Sequence, residues 1–288
     1  MNFGCCLLMK RADGEADESA VLLRQLEEGI AAAAEAGFDF IELPSWAVSR
    51  LAPGETERAK RLLAESGLRA PVFNSIVPPG AMLAGPDADP EALDAHLKET
   101  MRAVRDFGGE VAVFGGAKQR FAPKGFARDA ALEQIERFVQ LCERHAADNG
   151  IVVAVEHISR KETNMVRTLE EATELAAKQY SPHVKALADS YHMFIEREEF
   201  DSLTEAVDMD LLAHVHLADR DRKFPGEAAG PEAGGEVEEA APGVDFAALI
   251  GALRDSGYEG RLSLECLYAD WNELRVKGKA SLALLRSL

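Results

Sequence analysis

The chain has 288 residues, 47% of them hydrophobic and 28% charged, with a formal net charge of −18. That length holds one large α/β domain or two small ones, and the composition is that of a water-soluble globular protein. The acidic excess argues against a nucleic-acid partner, whose affinity rests on phosphate neutralisation by Lys and Arg, and no apolar stretch approaches the roughly 18–20 residues that span a bilayer.

The N-terminal "MNFGCCLLMKRADG" has no basic segment before its apolar run and no small-residue cleavage site after it, so it reads as a first strand and not as a signal peptide. Cys5, Cys6, Cys142 and Cys266 show no CxxC spacing, which fits neither a disulfide framework nor a zinc cluster and agrees with a reducing cytoplasm. Further strands are predicted at 38–43, 70–76, 110–115, 151–157, 184–189, 211–218 and 261–267, making eight with the first at 2–8. Amphipathic stretches such as "ESAVLLRQLEEGIAAAAEAG" and "ALEQIERFVQLCERHAADNG" lie between them. Gly37, Gly67, Gly108, Gly150 and Gly257 stand just before the next strand, where a helix end favours the left-handed conformation that glycine adopts cheaply.

Eight strand–helix repeats predict one (β/α)8 TIM barrel over 1–288. A doubly wound sheet is the alternative, but no GxGxxG follows any strand. Residues 224–243, rich in Gly, Ala, Pro and Glu, form an acidic insertion after the seventh strand. That stretch is either a lid or a solvated, disordered segment.

Barrel active sites form at the C-terminal strand ends. In "VVAVE", "VKALAD", "LLAHVH" and "RLSLE", Glu156, Asp189, His216 and Glu265 each end an apolar run. Buried together without a partner, these groups would cost several kcal/mol each in desolvation and repulsion, a cost that a divalent cation offsets. Three carboxylates and one imidazole suit Mn²⁺, Mg²⁺ or Co²⁺ better than structural Zn²⁺, although zinc remains an option for such a set. His192 follows Asp189 on the loop, placed to face a substrate. His214 shares a face with His216 one layer deeper and reads as a core histidine. His157 reads as structural, and His96, His145 and His183 are assigned to helical or loop surfaces. Lys118 and Arg120, after the fourth strand, either bind an anion or solvate a loop.

At "VEHISRKE", "ADSYHM", "HVHLADRDRKFPG" and "LSLECLY" the sequence resembles the sugar isomerase/epimerase superfamily with the xylose-isomerase-like barrel, nearest to the D-tagatose/D-psicose 3-epimerases and hydroxypyruvate isomerases. The resemblance implies that Glu156, Asp189, His216 and Glu265 bind the metal, with Mn²⁺ the leading ion. It also implies that Glu162, His192 and Arg222 contact substrate, and that Glu42 is a substrate-pocket glutamate that orients other groups, a salt-bridged structural role being the alternative. "FGCCLL" lacks the aromatic or histidine residues such enzymes place near the sugar, and Gly115 and Gly116 stand where the epimerases are bulkier. These departures bear on the substrate and not on the metal.

The function so implied is proton transfer at the carbon α to a carbonyl of a small sugar or keto-sugar, through an enediolate, with Glu156 and Glu265 as catalytic pair. A keto-polyol dehydratase shares that intermediate and stays open. An abasic-site endonuclease, which would need a His-rich metal cluster and a basic surface, fits the charge poorly. A barrel that binds a sugar without turnover is the remaining reading. A homo-oligomer is compatible with the family, but no stretch identifies an interface.

Overall fold

The computed structural model describes residues 1–227 and 243–288. Eight parallel strands close into a barrel in sequence order: β1 (Asn2–Cys6), β2 (Phe40–Pro44), β3 (Val72–Asn74), β4 (Val111–Phe114), β5 (Val152–Glu156), β6 (Val184–Asp189), β7 (Leu212–Leu217) and β8 (Arg261–Leu264). β1 pairs with β8, so no edge is left and the open doubly wound sheet is excluded. All eight expected strands are present, several of them shorter than the apolar runs. Residues just beyond them leave the ladder but stay tied to it: Leu7 N–H donates to Glu42 O and Glu265 N–H to Leu217 O, each at 3.0 Å.

The outer ring consists of α1 (Glu18–Ala36), α2 (Ser45–Val48), α3 (Pro53–Ser66), α4 (Pro90–Asp106), α5 (Arg128–Asn149), α6 (Leu169–Ala177), α7 (Ser190–Glu196), α8 (Asp201–Asp208), α9 (Phe246–Asp255) and α10 (Trp271–Ser287). Asp17, Asp89 and Thr168 cap α1, α4 and α6 through side-chain bonds to the first-turn N–H groups. Gly37, Gly67 and Gly150 close α1, α3 and α5 with positive φ, as their spacing foretold.

Side chains alternate along each strand, which stacks the barrel interior in layers. Phe40, Val72, Val111, Val113, Ala154 and Leu187 form an apolar cluster inside the barrel, and the Phe40 ring lies so close to Gly4 that any Cβ there would stand 2.4 Å from it. His214, edge-on to Phe40, and Ser263 place a first polar pair beside this cluster. Glu156, Asp189, His216 and Glu265 lie two residues beyond Ala154, Leu187, His214 and Ser263 on their strands.

Of the expected insertion, residues 228–242 lie outside the described residues. Its leading end is packed: Phe224 is buried, Ser281 Oγ donates to Pro225 O at 3.0 Å, and Asp219 accepts from Gly226 N and Val244 N. The compositional boundary at Phe224 therefore falls inside the fold, because an aromatic side chain extends the core there. Among the described residues no helix is long and apolar enough to cross a membrane.

Candidate metal centre and active site

Glu156 and Asp189 end β5 and β6, His216 is the penultimate residue of β7, and Glu265 follows β8 directly. One ligand atom from each of the four lies within 4.8 Å of the others. His216 Nδ1 stands 3.4 Å from Glu156, 3.6 Å from Glu265 and 3.9 Å from Asp189. Four adjacent staves thus converge on one point.

The fit to a cation follows from the imidazole. His216 Nε2–H donates to the Glu42 carboxylate, 3.1 and 3.2 Å from its two oxygens, which fixes the tautomer. Nδ1 is buried, without a hydrogen-bond partner among the described residues, and faced by three carboxylates. Burial disfavours a charged ring, but Glu42 and the facing carboxylates outweigh it and raise the ring well above its ordinary value, so this nitrogen holds a proton unless a cation takes its place. Acceptors crowded on acceptors are costly unless a positive charge lies between them. Three hard oxygen donors and one nitrogen fit a divalent cation of the Mn²⁺, Mg²⁺ or Co²⁺ type.

The surrounding charges separate the carboxylates. Burial and the neighbouring Glu265 raise the Glu156 carboxyl above its ordinary range. Burial also opposes ionisation of Glu265 and Asp189, but their neighbours overcome it, chiefly the Arg222 guanidinium for Glu265 and the His192 ring with Arg222 for Asp189. Arg222 Nη1 bonds Glu265 and lies 3.3 Å from Asp189, while its guanidinium stacks 4.7 Å from the Tyr191 ring centre. Its backbone is left-handed, with φ 56° after Asp221 at 59°, an uncommon conformation for residues with side chains and one concentrated at functional sites.

Asp189 has two tasks. Its Oδ1 caps α7 by accepting from His192 N at 2.9 Å, and its Oδ2 faces the cluster. His192 is buried rather than free. Nδ1 lies 3.0 Å from Ser159 Oγ and Nε2 2.9 Å from Arg222 Nη2, so the ring accepts from the guanidinium and holds it in place. Glu162 stands at the exposed mouth, 3.7 Å from Arg222.

Glu42, expected in the substrate pocket as a residue that orients other groups, is completely buried, and its two oxygens serve His214, His216 and Asn74. Burial opposes its ionisation, but the two imidazoles hold the carboxyl well below its ordinary range. Its geometry is that of an orienting group. His214 lies in the deeper layer, bonded to Glu42 and Ser263, as its register implied. His157 accepts from Asp189 N at 3.1 Å and so braces a ligand strand.

Two readings need correction. Arg120 does not solvate a loop. It is completely buried and donates to the carbonyls of Phe114, Gly115 and Glu156, with burial pushing its guanidinium down to about 10. His145 is buried between α4 and α5, 2.7 Å from Asp94, and not on a surface. Gly115 has a local reason: a Cβ there would stand 2.5 Å from Glu156 Oε2. Asn74, Ser159 and Tyr191 were not foreseen; Ser159 and Tyr191 had a signal, their places inside "VEHISRKE" and "ADSYHM".

Residues 30–288 match the model of the xylose isomerase-like TIM barrel family. Over 178 residues the chain is 29% identical to the 3-dehydro-D-guloside 4-epimerase of Escherichia coli (strain K12), covering 59% of this chain and 62% of that protein, which is less than two thirds of its length. Over 246 residues it is 28% identical to the ketose 3-epimerase of Arthrobacter globiformis, covering 80% and 74% of the two chains. The crystal structure of a D-psicose 3-epimerase determined with D-fructose superimposes with a TM-score of 0.79 at 18% identity, over 100% of this chain and 99% of that one, a likeness of fold. A closed eight-stranded barrel and a family match over most of its length place this chain in the xylose isomerase-like TIM barrel family.

Proposed function

We propose that the chain is a divalent-metal-dependent epimerase or isomerase of a small sugar or keto-sugar. The observation that carries this reading is the convergence of two carboxylates from different strands, Glu156 and Glu265, 3.4 and 3.6 Å from His216 Nδ1 in one four-residue cluster. Glu156, Asp189, His216 and Glu265 would hold the ion, Mn²⁺ in our reading. When bound, it polarises the substrate's carbonyl and neighbouring hydroxyl oxygens and so acidifies the C–H between them. One glutamate takes that proton, leaving an enediolate. The other returns a proton to the opposite face in epimerisation, while return to the neighbouring carbon gives isomerisation. Arg222, held by His192 and stacked on Tyr191, carries the positive charge that offsets the developing oxyanion. The names of both curated relatives, each an epimerase, support the reading.

A single imidazole in the cluster and a net charge of −18 disfavour the endonuclease alternative. We read 1–288 as one barrel domain, and the four free, buried cysteines agree with a reducing compartment such as the cytoplasm. The test is NMR in D₂O with Mn²⁺-loaded protein and a panel of ketoses and 3-keto sugars. Deuterium should enter α to the carbonyl without loss of water, and Glu156→Gln and Glu265→Gln should each lower kcat by about 10²–10⁴-fold. No exchange with any substrate, or full activity in both variants, overturns the proposal; loss of a β-hydroxyl as water assigns a dehydratase instead.

A further inference from the structure

A cleft of about 560 Å³ leads outward from the cluster over the ends of β1, β2, β3 and β8. Glu265, Cys6, Asn74 and Ser75 line it together with the rings of Trp46, Tyr268 and Trp271. A hexose has about a dozen non-hydrogen atoms, and even at the roughly 30 Å³ each that a water molecule occupies in the liquid it needs less than about 360 Å³. The cleft therefore has room for more than one monosaccharide unit.

Its walls combine two chemistries: Asn74 and Ser75 offer hydrogen-bonding groups in the same cleft as Glu265, and three aromatic rings suit the apolar face of a closed sugar ring or an aryl group. Two of the rings are fixed in advance: Tyr268 hydroxyl accepts from Leu8 N at 2.7 Å and donates to Cys6 O at 3.2 Å, and Trp271 Nε1 donates to Glu28 at 3.1 Å. Gly29 admits the Trp271 ring, which would lie 3.1 Å from a Cβ at that position. Around them Glu28 and Asp270 stand against Lys10 and Arg11, whose guanidinium lies 4.5 Å from the Trp46 ring centre, so the flanking charges cancel and leave no net positive charge for a phosphate group.

We propose that this cleft is an aglycone subsite, and that the substrate is a neutral keto-glycoside whose keto-sugar ring lies at the cluster while its aglycone stacks among Trp46, Tyr268 and Trp271. The inference rests on the function proposed above and extends it to a substrate class and to residues outside the cluster. The test compares kcat/KM of Mn²⁺-loaded protein on the 3-keto derivative of phenyl β-D-glucoside and on D-fructose, for wild type, Trp46→Ala and Trp271→Phe. Wild type should prefer the keto-glycoside, and Trp46→Ala should reduce that preference by about tenfold, the equivalent of one stacked aromatic contact. Equal loss on both substrates in Trp46→Ala, or a wild-type preference for D-fructose, overturns the subsite. Should wild type turn over neither, the proposed reaction fails and the subsite is judged alone by calorimetry with phenyl β-D-glucoside: binding weakened by Trp46→Ala supports it, and no binding overturns it.

Discussion

Strands β5 to β8 end in the four side chains that converge on one point, whereas β1 to β4 end in groups that hold those side chains or shape the space beside them. Glu42 on β2 fixes the His216 ring from below, Asn74 on β3 donates to Glu42, and Arg120 beyond β4 bridges the backbone of β4 to that of β5. The cleft opens on this second side, over β1, β2, β3 and β8. One half of the barrel is thus arranged for a cation, the other for orientation and fit. Ligands need charge at a single point, while their supports need only shape and hydrogen-bonding direction, and the two demands select different residue types.

This division is tested most severely at Arg120. Arg120→Met leaves the carbonyls of Phe114, Gly115 and Glu156 without their buried donor and should cost about 3–5 kcal/mol of stability, measured by urea denaturation. A loss below about 1 kcal/mol would show that β4 and β5 do not depend on it.

A smaller effect is expected at Glu42. Glu42→Gln keeps the shape but weakens the acceptor that sets the His216 tautomer, so Mn²⁺ affinity should fall about 10–100-fold with little change in melting temperature. Unchanged affinity would reduce Glu42 to a packing residue.

The smallest effect lies away from the site. Burial lifts the Glu198 carboxyl to about 7, above its unfolded value of about 4.3. A raised folded value means that the associated stability is full below about pH 4.3 and is lost as pH rises through about 7. Glu198→Gln should therefore stabilise the protein by about 1–3 kcal/mol at pH 8.5 and by little at pH 4, in thermal melts at both values. Equal effects at the two pH values would contradict this.

The same division explains what the sequence made legible. Glu156, Asp189, His216 and Glu265 were readable because a charged or titratable residue ending an apolar run is conspicuous, and the strand period put them on one face. The barrel itself followed from eight repeats and their glycine punctuation. Arg120 was misread because its sequence neighbours are loop-like, and burial among carbonyls contributed by two strands is a tertiary fact. For Glu42 the orienting and the salt-bridged roles stayed open, because a strand end does not reveal that its carboxylate turns across the barrel onto the two histidines of β7. Trp46 and Trp271 lie far apart in sequence and share a cleft only because β1 and β8 close the barrel.

Calorimetric titration of Mn²⁺ into the metal-free protein bears most directly on the claim that four staves share one cation. One ion per chain is expected for wild type, with affinity at least about 100-fold weaker in Asp189→Asn and in His216→Gln. Undiminished binding in both variants, or none in wild type, would contradict it.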